Sequence, residues 1–148
     1  MDKERIETSE LSILKPKILI VYDEPINIEL LEGYLSNDYN LLKAYNGNEA
    51  LKIVGTTLPD LIILDLMMPD INGLEVYKRI KKDEKTISIP IIIVTALHER
   101  EIKINTLEAG DEFLNKPIDI HELTARVRSL LRRKQYYDTM MGNCHFLL

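Results

Sequence analysis

The chain has 148 residues and a formal net charge of −5, from 24 acidic and 19 basic side chains. This length suits one domain with a single substantial core, and the acidic excess is a poor match for a nucleic-acid-binding face. The single cysteine, Cys144, cannot form an internal disulfide, which is consistent with a reducing compartment. The charged N-terminus lacks the apolar segment of a signal peptide, and no apolar run reaches the roughly 20 residues of a membrane span. We therefore expect a cytoplasmic protein without membrane contact.

Short apolar runs alternate with helical periodicity from residue 17 to about residue 134. The apolar runs predict five strands, KILIVY (17–22), YNLLKA (39–44), PDLIILD (59–65), IPIIIVTA (89–96) and EFLN (112–115). Helical patterns follow them at 25–37, 47–55, 73–82, 98–110 and 119–134, the second closed by Gly55. The last fourteen residues, QYYDTMMGNCHFLL, break the helical pattern.

Five strand–helix units indicate an α/β fold with a mainly parallel sheet. The first, third and fourth strands are apolar on both faces, as expected when helices cover both sides of a sheet. The doubly wound, flavodoxin-like order 2-1-3-4-5 suits five such units and places its switch point between the first and third strands. We expect an N-terminal extension at 1–15, the domain at 16–134, and a C-terminal tail or linker start at 135–148.

Polar residues stand where the strong strands end. The three strongest strands end in Asp23, Asp65 and Thr95, and Lys116 comes just past the fifth strand. Taken singly, each has an ordinary explanation as a loop-opening acid, a β-branched strand former or a solvated surface lysine. In open α/β sheets, however, ligands bind beyond the carboxyl ends of the strands. The shared position of these residues therefore favours a functional site at one edge of the sheet.

Phosphoryl transfer is the chemistry that uses all of these residues. Two nearby carboxylates repel each other unless a cation or a proton relieves them, and Mg²⁺ typically takes one or two carboxylates together with phosphate oxygens. An aspartate can form an acyl phosphate, and a transferring phosphoryl group needs cations and donors around its oxygens. The metal ion and Lys116 would supply the cations, and the Thr95 hydroxyl would supply a hydrogen-bond donor. Asp65 would accept the phosphoryl group.

The motifs ILIVYDEP, PDLIILDLMMPDINGLEV, IPIIIVTAL and FLNKP occur in this order between residues 16 and 134. In sequence and spacing they resemble the receiver domain of two-component response regulators, the chemotaxis-receiver-like family. The resemblance implies that Asp65 is the phosphoacceptor, supplied by a sensor histidine kinase or a phosphotransfer protein. It implies that Asp23, Asp65 and the backbone carbonyl of Met67 bind Mg²⁺. Thr95 would hydrogen-bond the phosphoryl oxygen, and Lys116 would pair with it.

The resemblance also implies how such a domain signals. Phe113 matches the aromatic residue that moves with Thr95 on activation, and it is equally compatible with a core position. Lys116–Pro117 matches a cis peptide of the family. The fourth helix, fifth strand and fifth helix, roughly 97–134, would form the face that contacts a downstream protein partner or output domain. The family also allows a homodimer through this face, and neither nucleic acid nor membrane is implied as a direct partner.

Two features depart from the family pattern. The family usually has two acids at the end of the first strand, and here the first of them is Tyr22. A neutral phenol there leaves the metal facing a formal charge of −2 from Asp23 and Asp65, so we expect weaker Mg²⁺ binding with phosphorylation retained. The segment EAGDEF is one residue shorter than the family pattern, which could shift Phe113 relative to Thr95.

Two functions from different classes remain open. The first is a switch that is phosphorylated on Asp65. The second is a degenerate receiver that acts as a phosphorylation-independent docking module because Tyr22 has weakened the metal site. A phosphatase with Asp65 as nucleophile would usually need another acid two residues later, where this chain has Met67. Retention of the other polar strand-end residues favours the switch.

Overall fold

The computed structural model describes residues 15–68, 70–95 and 111–147, with side chains described as far as residue 135. The strands are β1 (Lys17–Val21), β2 (Asn40–Ala44), β3 (Leu61–Asp65), β4 (Ile91–Thr95) and β5 (Glu112–Asn115). The helices are α1 (Pro25–Leu35), α2 (Gly47–Thr57), α3 (Gly73–Lys82) and α4 (Ile120–Leu147). The helix predicted at 98–110 lies outside the described residues, so α4 corresponds to the fifth predicted helix.

The five strands form one parallel sheet in the order β2-β1-β3-β4-β5, which confirms the predicted flavodoxin-like α/β fold. The strands β3 and β4 are buried at every residue, because helices cover both faces of the sheet. The carboxyl ends of all five strands therefore lie at one edge, where ligands bind in folds of this kind.

Two apolar clusters lie on opposite faces of the sheet, because alternate residues of a strand point to opposite sides. The first cluster contains Ile18, Ile20 and Tyr22 together with buried residues of α1 and α4. The second cluster contains Leu19 and Val21 together with buried residues of α2 and α3. This division places Tyr22 on the same side of the sheet as α1.

The helix α2 does not end at Gly55, so this sequence-based prediction was wrong. The helix continues to Thr57, and Leu58 then adopts a left-handed conformation with φ of 52°. The residue after Leu58 is Pro59, whose ring and missing N–H prevent the helix from continuing. A glycine inside a helix weakens it without ending it, and the proline determines the end.

The helix α4 is longer than the sequence pattern predicted. Its backbone is helical through Leu147, whereas the pattern predicted an end near residue 134. The segment 135–147 contains no proline and only one glycine, Gly142, so no strong helix breaker interrupts the backbone. No helix in the described ranges, α4 included, is both long enough and apolar enough to cross a membrane. The domain boundary near residue 134 stays a prediction.

A buried polar network fixes the start of β5 against α3 and β4. Lys81 Nζ lies 3.0 Å from Asp111 Oδ2, and these side chains are 6% and 1% exposed. Tyr77 donates its hydroxyl proton to Asp111 Oδ2 at 2.7 Å, and the Ile91 N–H donates to Oδ1 at 2.8 Å. Lys81 also donates to two carbonyls of the α3–β4 connection, at 3.1 and 2.7 Å. Burial raises the pKa of the Asp111 carboxyl, although the Lys81 ammonium opposes this shift.

Candidate functional site

The sheet topology brings the polar strand ends together at one edge. The strands β1 and β3 are neighbours, and extending their register by one residue places Tyr22 across from Asp65. On the other side of β3 come β4 and β5, which end at Thr95 and just before Lys116. The Lys116 N–H donates to the Thr95 carbonyl at 2.8 Å, which fixes the backbone from which the lysine side chain extends.

Asp65 is a buried carboxylate that is held by two donors. Its residue is 2% exposed, Lys116 Nζ lies 2.8 Å from its Oδ1, and the Met67 N–H donates to the same oxygen at 3.1 Å. Burial raises the pKa of Asp65, the contacts with Lys116 and Met67 oppose this shift, and the nearby negative charge of Asp23 adds to it. Oδ2 makes no hydrogen bond to any described residue. Within the described part of the chain, only Oδ1 of Asp65 is therefore oriented by donors.

Asp23 is half-buried at the end of β1, close enough to Asp65 to affect its pKa. The described residues contain no group of three or more His, Cys, Asp and Glu side chains suited to a metal ion. Two carboxylates and a backbone carbonyl nevertheless fit Mg²⁺, which prefers oxygen ligands and keeps several of its waters. The resemblance to receiver domains implies that the Met67 carbonyl is the third ligand, and Met67 lies next to Asp65, to which its N–H donates.

Thr95 and Phe113 lie on the opposite face of the sheet from Tyr22. Thr95 is fully buried at the end of β4 and pairs with Asn115, while Phe113 pairs with Ile93, two residues earlier in each strand. Phe113 is partly buried and packs against the second cluster. Since residues two apart in a strand share a face, Phe113 and Thr95 lie on the same side of the sheet. Their role in switching stays a prediction.

Tyr22 is almost fully buried, with 3% of its surface exposed. Burial raises the pKa of its phenol, and the negative charge of Asp65 raises it further, so the side chain is neutral at physiological pH. The Lys116 ammonium lies over the Tyr22 ring, with Nζ 5.9 Å from the ring centroid. Sequence reasoning identified Tyr22 as unusual and missed its contact with Lys116.

The loop after β3 folds back onto Asp65, and Gly73 makes this possible. The Gly73 N–H donates to the Leu66 carbonyl at 3.0 Å. A Cβ at Gly73 would lie 2.5 Å from the Asp65 carbonyl oxygen and 2.5 Å from Leu66 Cα. The neighbouring Asn72 caps α3, accepting from the Glu75 N–H at 2.9 Å. The sequence indicated a turn here, and the structure shows that this turn depends on the missing side chain of Gly73.

Asp70 connects the same loop to the start of α2. Its carboxylate accepts from the Gly47 N–H at 3.0 Å and from the Asn48 N–H at 3.2 Å. Partial desolvation raises the pKa of the Asp70 carboxyl, but backbone N–H groups, among them those of Gly47 and Asn48, hold it below its ordinary value overall. The loop is therefore anchored at both ends, by Gly73 against β3 and by Asp70 against α2.

We expect Asp70→Ala to lower the free energy of unfolding at pH 7 by about 1 kcal/mol, the usual contribution of a helix-capping side chain. The Asp70 carboxyl has a lower pKa in the folded protein than in the unfolded chain. Its contribution to the free energy of unfolding is therefore complete above the unfolded pKa of about 3.9, and it is lost as the pH falls through the folded pKa. Urea unfolding of both proteins at pH 7 and below pH 3 measures this. A stability difference that is unchanged at low pH would contradict the role given to Asp70.

A groove of about 480 Å³ opens beside the site, between α1 and the connection from β5 to α4. Tyr22 and Lys116 line this groove together with Leu30 and Tyr34 of α1. Leu30 and Tyr34 are 59% and 58% exposed, so α1 presents apolar side chains to solvent next to the groove. A partner bound in this groove would therefore contact Lys116, which pairs with Asp65, and Tyr22, whose ring contacts the Lys116 ammonium.

The parallel sheet defines the chain as a flavodoxin-like α/β protein, with its candidate site at the carboxyl edge of the sheet. A family model described as the response regulator receiver domain matches residues 18–128. The chain therefore belongs to the response regulator receiver domain family.

Curated relatives and solved structures are similar to this chain over most of its length. It is 43% identical to the response regulator ArlR of Staphylococcus aureus, covering 86% of this chain and 58% of ArlR. It is 40% identical to the "DNA-binding dual master transcriptional regulator RpaA" of Synechocystis sp., covering 80% of this chain and 50% of RpaA. A putative response regulator from Chloroflexus aurantiacus is 35% identical, with a TM-score of 0.72 over 80% of this chain and 98% of that structure. The chain thus spans only about half the length of ArlR and of RpaA.

Proposed function

We propose that this receiver domain takes a phosphoryl group onto Asp65 from a sensor histidine kinase or a phosphotransfer protein. The observation that carries the proposal is a buried Asp65 carboxylate with one oxygen bound by Lys116 and by the Met67 N–H. Asp23, Asp65 and the Met67 carbonyl are the proposed ligands of Mg²⁺, which receiver domains generally bind at the phosphorylation site. When bound, the ion would neutralise charge on the phosphoryl oxygens.

In the proposed reaction, Asp65 Oδ2 attacks the phosphorus of a phosphohistidine. The new P–O bond forms as the P–N bond breaks, and the departing imidazole nitrogen keeps the electron pair and takes a proton from water. Lys116 then exchanges its contact with the carboxylate for one with a phosphoryl oxygen, and the Thr95 hydroxyl donates to another. Charge-assisted contacts of this kind are stronger than neutral ones, so they favour the rearranged position of both side chains.

The signal is proposed to leave through the face formed by residues 97–134. Thr95 lies two residues before this segment, and Phe113 lies on the same side of the sheet as Thr95. The part of the face at 97–110 lies outside the described residues. A cytoplasmic protein partner or output domain would read the face, and a homodimer through it is compatible with the family. Because RpaA is named as DNA-binding and is matched over 50% of its length, the absence of direct nucleic-acid contact is proposed for this stretch of chain alone.

Incubation with acetyl phosphate and Mg²⁺, followed by intact mass measurement, tests the proposal. We expect a gain of one phosphoryl group in the wild type and none in Asp65→Asn, because an amide cannot act as the nucleophile. Asp60→Asn is a matched control, since Asp60 lies at the opposite end of β3 and its carboxylate accepts from the Lys17 N–H. An unmodified wild type would support the phosphorylation-independent docking module instead.

The neutral Tyr22 leads to a separate prediction about metal affinity. Tyr22→Asp is expected to bind Mg²⁺ about tenfold more tightly, because one added charge near a dication contributes up to a few kcal/mol at a dielectric of about 20 before solvent screening. Tyr22→Asn is the matched control, since it has the size of the aspartate without the charge. Titration with Mg²⁺ should place the asparagine variant near the wild type. Equal Mg²⁺ affinities for all three proteins would show that the charge at position 22 does not determine how tightly Mg²⁺ binds.

A further inference from the structure

We propose that Tyr22 is a positioning residue whose ring holds the Lys116 ammonium against Asp65 and directs it to that single carboxylate. This role rests on the proposed function of Asp65 as phosphoacceptor. It is independent of metal affinity, because it concerns where the lysine side chain lies rather than the charge that faces Mg²⁺.

The Tyr22 ring is fixed by packing before it contacts Lys116. Its side chain belongs to the first cluster, together with Ile28 and Leu31 of α1. The Tyr22 N–H donates to the Ala44 carbonyl at 3.1 Å, which extends the pairing of β1 and β2 by one residue. A buried aromatic side chain has few rotamers to choose from in such an environment. The ring is therefore a rigid surface at the edge of the sheet.

The Lys116 ammonium contacts both this ring and Asp65. Its Nζ is 5.9 Å from the ring centroid and 2.8 Å from Asp65 Oδ1, and its side chain is 36% exposed. A partly exposed lysine has many rotamers, and ordering it costs conformational entropy. A cation within about 6 Å of an aromatic face is attracted by the electrons of the ring. The ring thus favours the rotamers in which the ammonium also reaches Asp65.

The chemical character of the ring determines which partner the ammonium takes. A carboxylate at position 22 would be a second strong acceptor and would compete with Asp65 for the lysine. A ring face attracts the ammonium without offering a carboxylate oxygen. Lys116 is therefore committed to Asp65 Oδ1, which leaves Oδ2 for attack on the donor. If Tyr22 only filled space in the core, an aliphatic side chain of similar bulk would serve equally well.

NMR of the Lys116 ε-methylene group tests the contact directly. Protons above an aromatic face are shifted upfield, so we expect an upfield Lys116 signal in the wild type and in Tyr22→Phe. In Tyr22→Leu the signal should move to the position of solvent-exposed lysines. Tyr22 replaced by a ring-fluorinated phenylalanine keeps the shape of the ring and weakens the attraction of its face. This variant provides the comparison if Tyr22→Leu does not fold.

The rate of phosphorylation by acetyl phosphate at saturating Mg²⁺ tests the consequence. Tyr22→Phe should remain within about twofold of the wild type, and Tyr22→Leu should be slower by about 3- to 10-fold, the range that a cation–π contact supports. In a Lys116→Met background, Tyr22→Leu should have no further effect, since the ring then has no cation to position. If Tyr22→Leu lowered the phosphorylation rate by the same factor in the Lys116→Met background as in the wild type, Tyr22 would have a purely structural role and the inference would be overturned.

The outcomes separate this inference from the proposed function. A Lys116 signal that matches exposed lysines in the wild type would overturn the inference even if Asp65 is phosphorylated. A wild type that takes up no phosphoryl group would overturn the proposed function, while the NMR comparison would still test the contact. The inference and the proposed function are both supported if the upfield shift is lost only in variants without an aromatic ring at position 22 and if Tyr22→Leu is phosphorylated more slowly.

Discussion

Replacing Asp111 with alanine is expected to lower the free energy of unfolding by about 3–5 kcal/mol, the usual cost of removing one partner of a buried ion pair. The variant leaves the Lys81 ammonium without its counter-ion in a site where the lysine side chain is only 6% exposed. It also removes the acceptor of the Ile91 N–H and of the Tyr77 hydroxyl. Urea or thermal unfolding followed by circular dichroism measures the loss.

Two further variants make the test specific. Asp38→Ala removes an exposed carboxylate that makes no hydrogen bond to any described residue, and its stability should stay within about 0.5 kcal/mol of the wild type. Lys81→Met keeps the aliphatic part of the side chain and leaves Asp111 with its two remaining donors, so it should cost less than Asp111→Ala. A loss below about 1 kcal/mol for Asp111→Ala would show that the network does not hold the start of β5.

Replacing Gly73 with alanine is expected to impair both stability and phosphorylation. The added Cβ would lie 2.5 Å from the Asp65 carbonyl oxygen and from Leu66 Cα, and both atoms belong to the backbone. The backbone must therefore move, at a cost of about 1–3 kcal/mol for overpacking at a tight site. The same shift displaces the Asp65 carboxylate, and a displacement near 1 Å lowers reaction rates by up to about 100-fold.

Gly55→Ala is the matched control for this glycine. Gly55 lies inside α2, and a Cβ there would meet no atom within 4 Å. Alanine should therefore stabilise the helix by about 0.5–1 kcal/mol and leave the acetyl phosphate reaction unchanged. If Gly73→Ala were as stable and as reactive as the wild type, the close approach of the loop to Asp65 would not determine the position of the Asp65 carboxylate.

The order of elements and the position of the site could be predicted from the sequence because both depend on local patterns. Apolar runs and helical spacing predict each element, and the rule for parallel sheets then places the strand ends together. Asp23, Asp65, Thr95 and Lys116 could therefore be selected from their positions at strand ends.

The remaining features depend on partners that no local pattern identifies. Asp111 and Lys81 are thirty residues apart in sequence, and Asp70 reaches the start of α2 from a loop that follows β3. The ring of Tyr22 meets Lys116 only because the fold brings the ends of the first and last strands to the same edge. Periodicity predicts which face a residue occupies, whereas these contacts depend on which elements pack against each other.

The most direct test of the proposed function is to locate the phosphoryl group by chemical trapping. Borohydride reduces an acyl phosphate to an alcohol, so a phosphorylated aspartate becomes homoserine and can be identified by peptide mass spectrometry. After incubation with acetyl phosphate and Mg²⁺, we predict homoserine at position 65 and aspartate unchanged at positions 23 and 60. Trapping at any other carboxylate, with position 65 unmodified, would contradict the assignment of Asp65 as the phosphoacceptor.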